Sequence, residues 1–144
     1  TIPGDQFNLI KSSILKISPS ICYEIAYSSL INKTAGKSNI LVTISNDTWF
    51  GSSIGPEQHL QLAKDRVLEH QKPLLRSTNS GISAIIDHKG IILGKQRYFE
   101  EKILKSRVIL QEGYTPYNYL GNSLLYLYIG LILLISVFIK KKKV

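Results

Sequence analysis

From Asn118 to Ile139 the chain carries no charged residue, and Leu124 to Ile139 is almost wholly aliphatic or aromatic. A helix rises about 1.5 Å per residue, so roughly 20 such residues cross the hydrocarbon core of a bilayer. The stretch supplies that length, and Leu120 to Ile139 is expected as a transmembrane helix. Tyr114, Tyr117, Tyr119, Tyr126 and Tyr128 gather toward its start, where an interfacial aromatic belt sits. Lys140 to Lys143 follow at once, and lysines beside a span mark the cytoplasmic side. The globular part is then expected on the opposite side of the membrane. A buried core helix with a solvated lysine end is the plainer alternative, disfavoured by so long a run with a basic stop.

Those four lysines supply half of the formal net charge of +8. What remains is modest and shows no basic stripe interleaved with aromatics, so a nucleic-acid partner is not expected. The lysines would meet anionic lipid headgroups instead. A length of 144 residues suits one ordinary domain. The single cysteine excludes an intramolecular disulfide framework. His59, His70 and His88 lack metal-ligand spacing and have no second cysteine beside them, so no metal is expected. Thr1 to Lys16 lacks the continuous apolar core of a signal peptide. An outward-facing domain with no export signal reads as part of a longer protein.

Along the chain, Ile14 to Cys22 reads as a strand interrupted near Pro19, and Ala26 to Lys33 as a short helix. Ile40 to Ile44 is a continuous apolar run, the pattern of a strand buried on both faces. Ser45 to Pro56 reads as a long loop ending at a proline suited to a helix's first turn. Leu60, Ala63, Val67 and Leu68 give one apolar helical face through about Gln71. Pro73 to Ser77 returns to the sheet. Ile82 to Ile86 and Ile91 to Gly94, joined through Asp87 to Gly90, form a hairpin. Ile103 to Leu110 alternates as a further strand. Strands alternating with helices imply a layered α/β or α+β sheet.

Cys22 stands in Ile21-Cys22-Tyr23-Glu24-Ile25, between the first strand and the first helix. A strand-to-helix turn exposes the sulfur, and the backbone N–H groups that follow stabilise a thiolate and a developing oxyanion. A lone cysteine also reads as a small buried hydrophobe. Glu24 likewise reads as a carboxylate favoured at a helix N-terminus, a contribution of about 0.3–1 kcal/mol. Trp49 and Phe50 follow the buried strand, where sheets of this kind place ligand contacts, although a sole tryptophan also suits a core. Asn46 and Asp47 can be turn formers. His59, at the start of a helix, reads as structural, with a Cys–His dyad as the other possibility.

The ICYE segment is followed by Leu41-Val42-Thr43-Ile44-Ser45-Asn46-Asp47-Thr48-Trp49-Phe50-Gly51, by Gly55-Pro56-Glu57-Gln58-His59, and by Pro73-Leu74-Leu75-Arg76-Ser77-Thr78-Asn79-Ser80-Gly81-Ile82-Ser83. Together, from about Ser20 into the apolar tail, these blocks resemble the carboxyl-terminal part of the bacterial apolipoprotein N-acyltransferases, membrane enzymes of the nitrilase superfamily. The resemblance implies a partial nitrilase-like α-β-β-α sandwich followed by one transmembrane helix. Residues 1–113 would be the hydrolase-like part, 114–119 an interfacial linker, 120–139 the span and 140–144 a basic cytoplasmic tail.

It further implies that Cys22 takes a fatty acyl chain from a phospholipid as a thioester and yields it to the α-amino group of an apolipoprotein's N-terminal cysteine, with no cofactor. Tyr23 would donate its backbone N–H to the oxyanion, and Glu24 would orient neighbouring groups. Trp49, Phe50 and Asn46 would lie on the substrate side, and Arg76 to Gly81 would support the site floor. The implied location is the bacterial inner membrane, with the globular part on the periplasmic side. The superfamily's glutamate base and lysine have no match among the residues before Cys22, so this chain alone is expected to be inactive. The alternatives are a membrane-tethered amidase of nitrilase type and a non-catalytic membrane-anchored module.

Overall fold

The computed structural model describes residues 8–142. Thr1 to Phe7, Lys143, Val144 and the side chains of the lysine tail lie outside the described residues. One six-stranded sheet runs in sequential order through β1 (Ile10–Lys11), β2 (Lys16–Ile21), β3 (Ile40–Asn46), β4 (Leu74–Asn79), β5 (Ala84–Ile86) and β6 (Ile92–Lys95). Strands β2, β3 and β4 are parallel, whereas β1, β5 and β6 join antiparallel. Parallel neighbours need crossover connections, and helices α1 (Ser28–Ala35) and α2 (Gly55–His70) supply them.

The residue order explains these boundaries. Pro19 sits within β2 but beyond the two residues where β1 pairs, a place where a strand tolerates a residue with no N–H. Pro56 opens the first turn of α2, and Gln71, at φ 50°, turns the chain out of it toward β4. Leu60, Ala63 and Val67 recur at helical spacing and are 4% exposed or less. They join Ile31 and Ala35 of α1 and Leu41, Leu74, Ala84 and Ile86 of the sheet in one core cluster.

Both helices therefore cover the same face of the sheet. The opposite face presents Ile21 beside Ile44 and Val42 beside Leu75, with Ile21 62% and Ile44 54% exposed. The described residues thus supply one sheet and one helical layer of the expected sandwich.

Two expectations need correction. Leu68 is half exposed and does not belong to the buried face of α2. Ile103 to Leu110 forms no strand. Its side chains are mostly exposed, and the segment joins the sheet only at its end, where the Gln111 N–H donates to the Asn39 carbonyl (3.2 Å). Alternation alone fails here because a strand is defined by a ladder partner.

The chain then leaves the domain through a polar clasp. Lys72, 1% exposed, donates through Nζ to the carbonyls of Gln111 and Gly113 (2.8 Å each). The Thr115 hydroxyl donates to the Glu69 carbonyl (2.6 Å). The Asn118 amide bridges Asn32 Oδ1 and His70 Nδ1 (both 2.9 Å). Burial, aided by the positive charges of Arg66 and Lys72, pushes the His70 pKa down to about 4. The imidazole accordingly stays neutral near pH 7 and accepts from Asn118.

Beyond the clasp stand α3 (Pro116–Leu120) and α4 (Ser123–Lys142), the latter 20 residues long with exposed apolar side chains. Over the described residues alone, no helix is long and apolar enough to cross a membrane.

Candidate active site

Parallel strands direct their carboxyl ends to one edge of a sheet, the usual location of a ligand site in such folds. Here that edge carries Cys22 after β2, Ser45 to Asp47 at the end of β3, and Ser77 to Gly81 at the end of β4. Cys22 has φ 53°, a conformation that few non-glycine residues adopt. It opens a single 3₁₀ turn, Cys22–Ala26, that leads into α1. Cys22 is half-buried, and its sulfur receives one hydrogen bond among the described residues, from Ser45 Oγ at 3.6 Å.

Below the sulfur lies a buried charged cluster. Asp47, His59 and Arg76 are each 3% exposed or less. Arg76 Nη2 donates to Asp47 Oδ2 (2.7 Å), and its Nε donates to the Ile82 carbonyl (3.2 Å). The Ser45 hydroxyl reaches Asp47 Oδ1 at 2.7 Å. His59 Nδ1 lies 3.0 Å from both Asp47 Oδ1 and Arg76 Nη2. A guanidinium only donates, so Nδ1 cannot serve both neighbours at once. The charge-assisted bond to the carboxylate is the stronger, which places the proton on Nδ1. His59 Nε2 is buried without a partner among the described residues, as is Arg76 Nη1.

The electrostatics follow from this geometry. Burial alone would raise the Asp47 carboxyl, but hydrogen bonds from His59 and Ser45 and the Arg76 charge hold it below the usual range. Asp47 is therefore an anion that accepts hydrogen bonds, and a poor proton acceptor. Burial pulls Arg76 down while Asp47 opposes it, and a guanidinium so paired stays charged. Gly81 packs on the Asp47 side chain so closely that a Cβ there would overlap the carboxylate.

The residues singled out from sequence divide around this cluster. The Tyr23 ring lies 5.7 Å from the His59 ring and the Phe50 ring 5.8 Å from it, so Tyr23 and Phe50 flank His59. Glu24 turns back and accepts from the Ile21 N–H (2.7 Å), bracing the turn that holds Cys22. Asn46 accepts from the Thr48 N–H (3.1 Å) and hydroxyl (2.6 Å), a turn-forming arrangement. Trp49 stands out from the loop, 88% exposed, so the core reading of this tryptophan does not hold.

His59 donates to Asp47, and Ser45 stands against the sulfur where a Cys–His dyad would need the imidazole. The roles of half-buried Ser45 and of buried Asp47 and His59 are not legible in the sequence. One signal is available: Arg76 follows Leu74 at the period of two that marks one face of a strand, and a charge on a buried face requires a counterion.

Residues 1–114 match the model of the carbon-nitrogen hydrolase family. The apolipoprotein N-acyltransferase of Photobacterium profundum is 45% identical over 120 residues, covering 83% of this chain and 23% of that protein. The enzyme of the same name from Haemophilus influenzae is 45% identical over 129 residues, covering 87% of this chain and 25% of its own length. The chain thus spans about a quarter of these curated relatives.

Two solved structures share the fold. A carbon-nitrogen hydrolase from Helicobacter pylori has a TM-score of 0.63 at 17% identity, over 70% of this chain and 43% of its own. Saccharomyces cerevisiae Nit3, of the nitrilase superfamily, has a TM-score of 0.59 at 22% identity, over 69% of this chain and 40% of its own. With its parallel strands, its cysteine at the strand-to-helix turn and a family match over most of its length, the chain belongs to the carbon-nitrogen hydrolase family.

Proposed function

We propose that the whole protein transfers a fatty acyl chain from a phospholipid to the α-amino group of an apolipoprotein's N-terminal cysteine, through a thioester on Cys22. The observation that carries this reading is the 45% identity to proteins named apolipoprotein N-acyltransferase across the segment that builds the cysteine turn. In the first step the Cys22 sulfur bonds to the acyl carbonyl carbon. The ester C–O bond breaks, and the lysophospholipid alkoxide takes up a proton equivalent to the one lost by the thiol. In the second, the amine attacks the thioester, an N–C bond forms, the C–S bond breaks and a proton returns to sulfur. The superfamily resemblance assigns the proton carrier to a glutamate and part of the oxyanion stabilisation to a lysine.

Within this chain, Tyr23 would offer its backbone N–H to the tetrahedral oxyanion, a contribution of about 3 kcal/mol for one such donor. Glu24 would hold the nucleophile's turn. Exposed Trp49, with Ile21 and Ile44 near the same edge, would meet acyl chain, while Phe50 packs on His59 and Asn46 shapes the loop. The open sheet face would be covered by the second sheet of the nitrilase-like sandwich. Residues 1–113 would form the hydrolase-like part and 114–119 the linker; 120–139 would span the bacterial inner membrane. The globular part would then sit on the periplasmic side and 140–144 in the cytoplasm. The exposed apolar side chains of α4 ahead of its lysines support the span, although the helix begins at Ser123, after a break at Gly121, and not at the expected Leu120.

The reaction is tested by incubating the full-length protein in detergent with phospholipid and a lipopeptide bearing a free N-terminal cysteine. The expected product is the lipopeptide heavier by one acyl chain. Ammonia release from amides without lipopeptide acylation would replace this reading by the amidase, and neither product by the non-catalytic module. For the membrane placement, a cysteine tag after Val144 should resist an impermeant thiol reagent applied to intact spheroplasts. Labelling before lysis would reverse the orientation.

A further inference from the structure

Ser45 lies 3.6 Å from Cys22 Sγ and 2.7 Å from Asp47 Oδ1 through the same oxygen. A hydroxyl has one proton, so Ser45 cannot donate to both. Beside a neutral thiol the proton belongs on the carboxylate, because a charge-assisted bond is the stronger, and Ser45 Oγ then accepts from the S–H.

Beside a thiolate both neighbours are anions, and the proton turns toward the one less well compensated. Asp47 keeps Arg76 Nη2 at 2.7 Å and His59 Nδ1 at 3.0 Å whatever Ser45 does. The sulfur has no hydrogen-bonding side chain other than Ser45 among the described residues, and Arg76 reaches it only through its charge.

We propose that Ser45 is a positioning residue for Cys22, its hydroxyl turning from Asp47 to the sulfur as the thiolate forms. Asp47, His59 and Arg76 are the fixed frame that lets it turn. The ion pair keeps Asp47 anionic and satisfied, so releasing the serine proton leaves no buried charge uncompensated. The switch moves one hydroxyl proton by rotation about the Cβ–Oγ bond, and the thiol proton still departs to the reaction's own base. The proposal rests on Cys22 being the nucleophile of the reading above, but it concerns the sulfur itself and is testable without lipid.

The test is the rate of Cys22 alkylation by iodoacetamide against pH in the full-length protein in detergent, for the unaltered chain, Ser45→Ala and Ser45→Thr. A hydrogen bond to a charged group is worth enough that Ser45→Ala should slow alkylation at neutral pH on the order of tenfold. The alkaline plateau, where the cysteine is fully ionised, should be unchanged, so the midpoint moves upward in pH. Ser45→Thr, which retains the hydroxyl, should restore the profile to within about twofold. Superimposable profiles for the alanine variant and the unaltered chain would overturn the proposal. So would an equal fall at every pH, plateau included, since that reports access or distortion. If the shift is seen but no lipopeptide is acylated, the assignment of Ser45 stands and the acyltransferase reading falls.

Discussion

Cys22→Ala in the full-length protein is expected to abolish acyl transfer while leaving the domain folded. Removal of a covalent nucleophile typically costs about 10⁶-fold in turnover, because nothing else can split the transfer into two steps. The fold should survive because the Cys22 side chain is half-buried and its one hydrogen bond among the described residues is the long 3.6 Å approach of Ser45. Alanine also inherits a left-handed backbone that cysteine already tolerates at φ 53°. Cys22→Ser should fail as well, because a serine hydroxyl at this turn has no ionisation within reach of neutral pH. A residual rate near that of the unaltered enzyme, with circular dichroism unchanged, would remove Cys22 from the reaction.

The second large effect is on stability. Asp47→Ala would leave the Arg76 guanidinium buried with no counterion and strip His59 of its acceptor. Breaking a buried pair from one side costs about 3–5 kcal/mol, a loss that should lower the melting temperature of a domain this size by on the order of 10 °C or more. Replacing both partners tests the cause. Asp47→Leu with Arg76→Met removes the orphaned charge and should recover most of the loss, because buried pairs exchanged for apolar side chains of similar volume are often neutral. A double variant as unstable as Asp47→Ala would show that the penalty is a packing defect and that the pair is not its source.

The contrast between these two sites explains what the sequence made legible. The parallel strands and the β5–β6 hairpin were readable because apolar periodicity and turn residues are local signals. Cys22 was readable for the same reason, as a cysteine between a strand and a helix. The cluster beneath it was not. Asp47, His59 and Arg76 belong to a loop, a helix and a strand, and they meet only because β3 and β4 pair in a register that places Thr43 beside Arg76. His59 looked structural at a helix start, which describes its bond to Asp47 but not the neighbours that make the bond matter. Trp49 misled in another way. A sole tryptophan suits a core or a pocket wall, and this one stands in solvent because its loop leaves the sheet before reaching any packed layer. Ile103 to Leu110 alternates like a strand but pairs with neither edge strand of the sheet among the described residues.

The thioester on Cys22 is the claim on which the remaining assignments depend. It is read most directly by incubating the full-length protein with a phospholipid of defined acyl chain, without acceptor, and sequencing its peptides by mass spectrometry. The account predicts one acyl group on the peptide containing Cys22, cleaved by neutral hydroxylamine and lost when lipopeptide is added. An acyl group that persists in Cys22→Ala, or lipopeptide acylation with no adduct at Cys22 in a quenched time course, would contradict it.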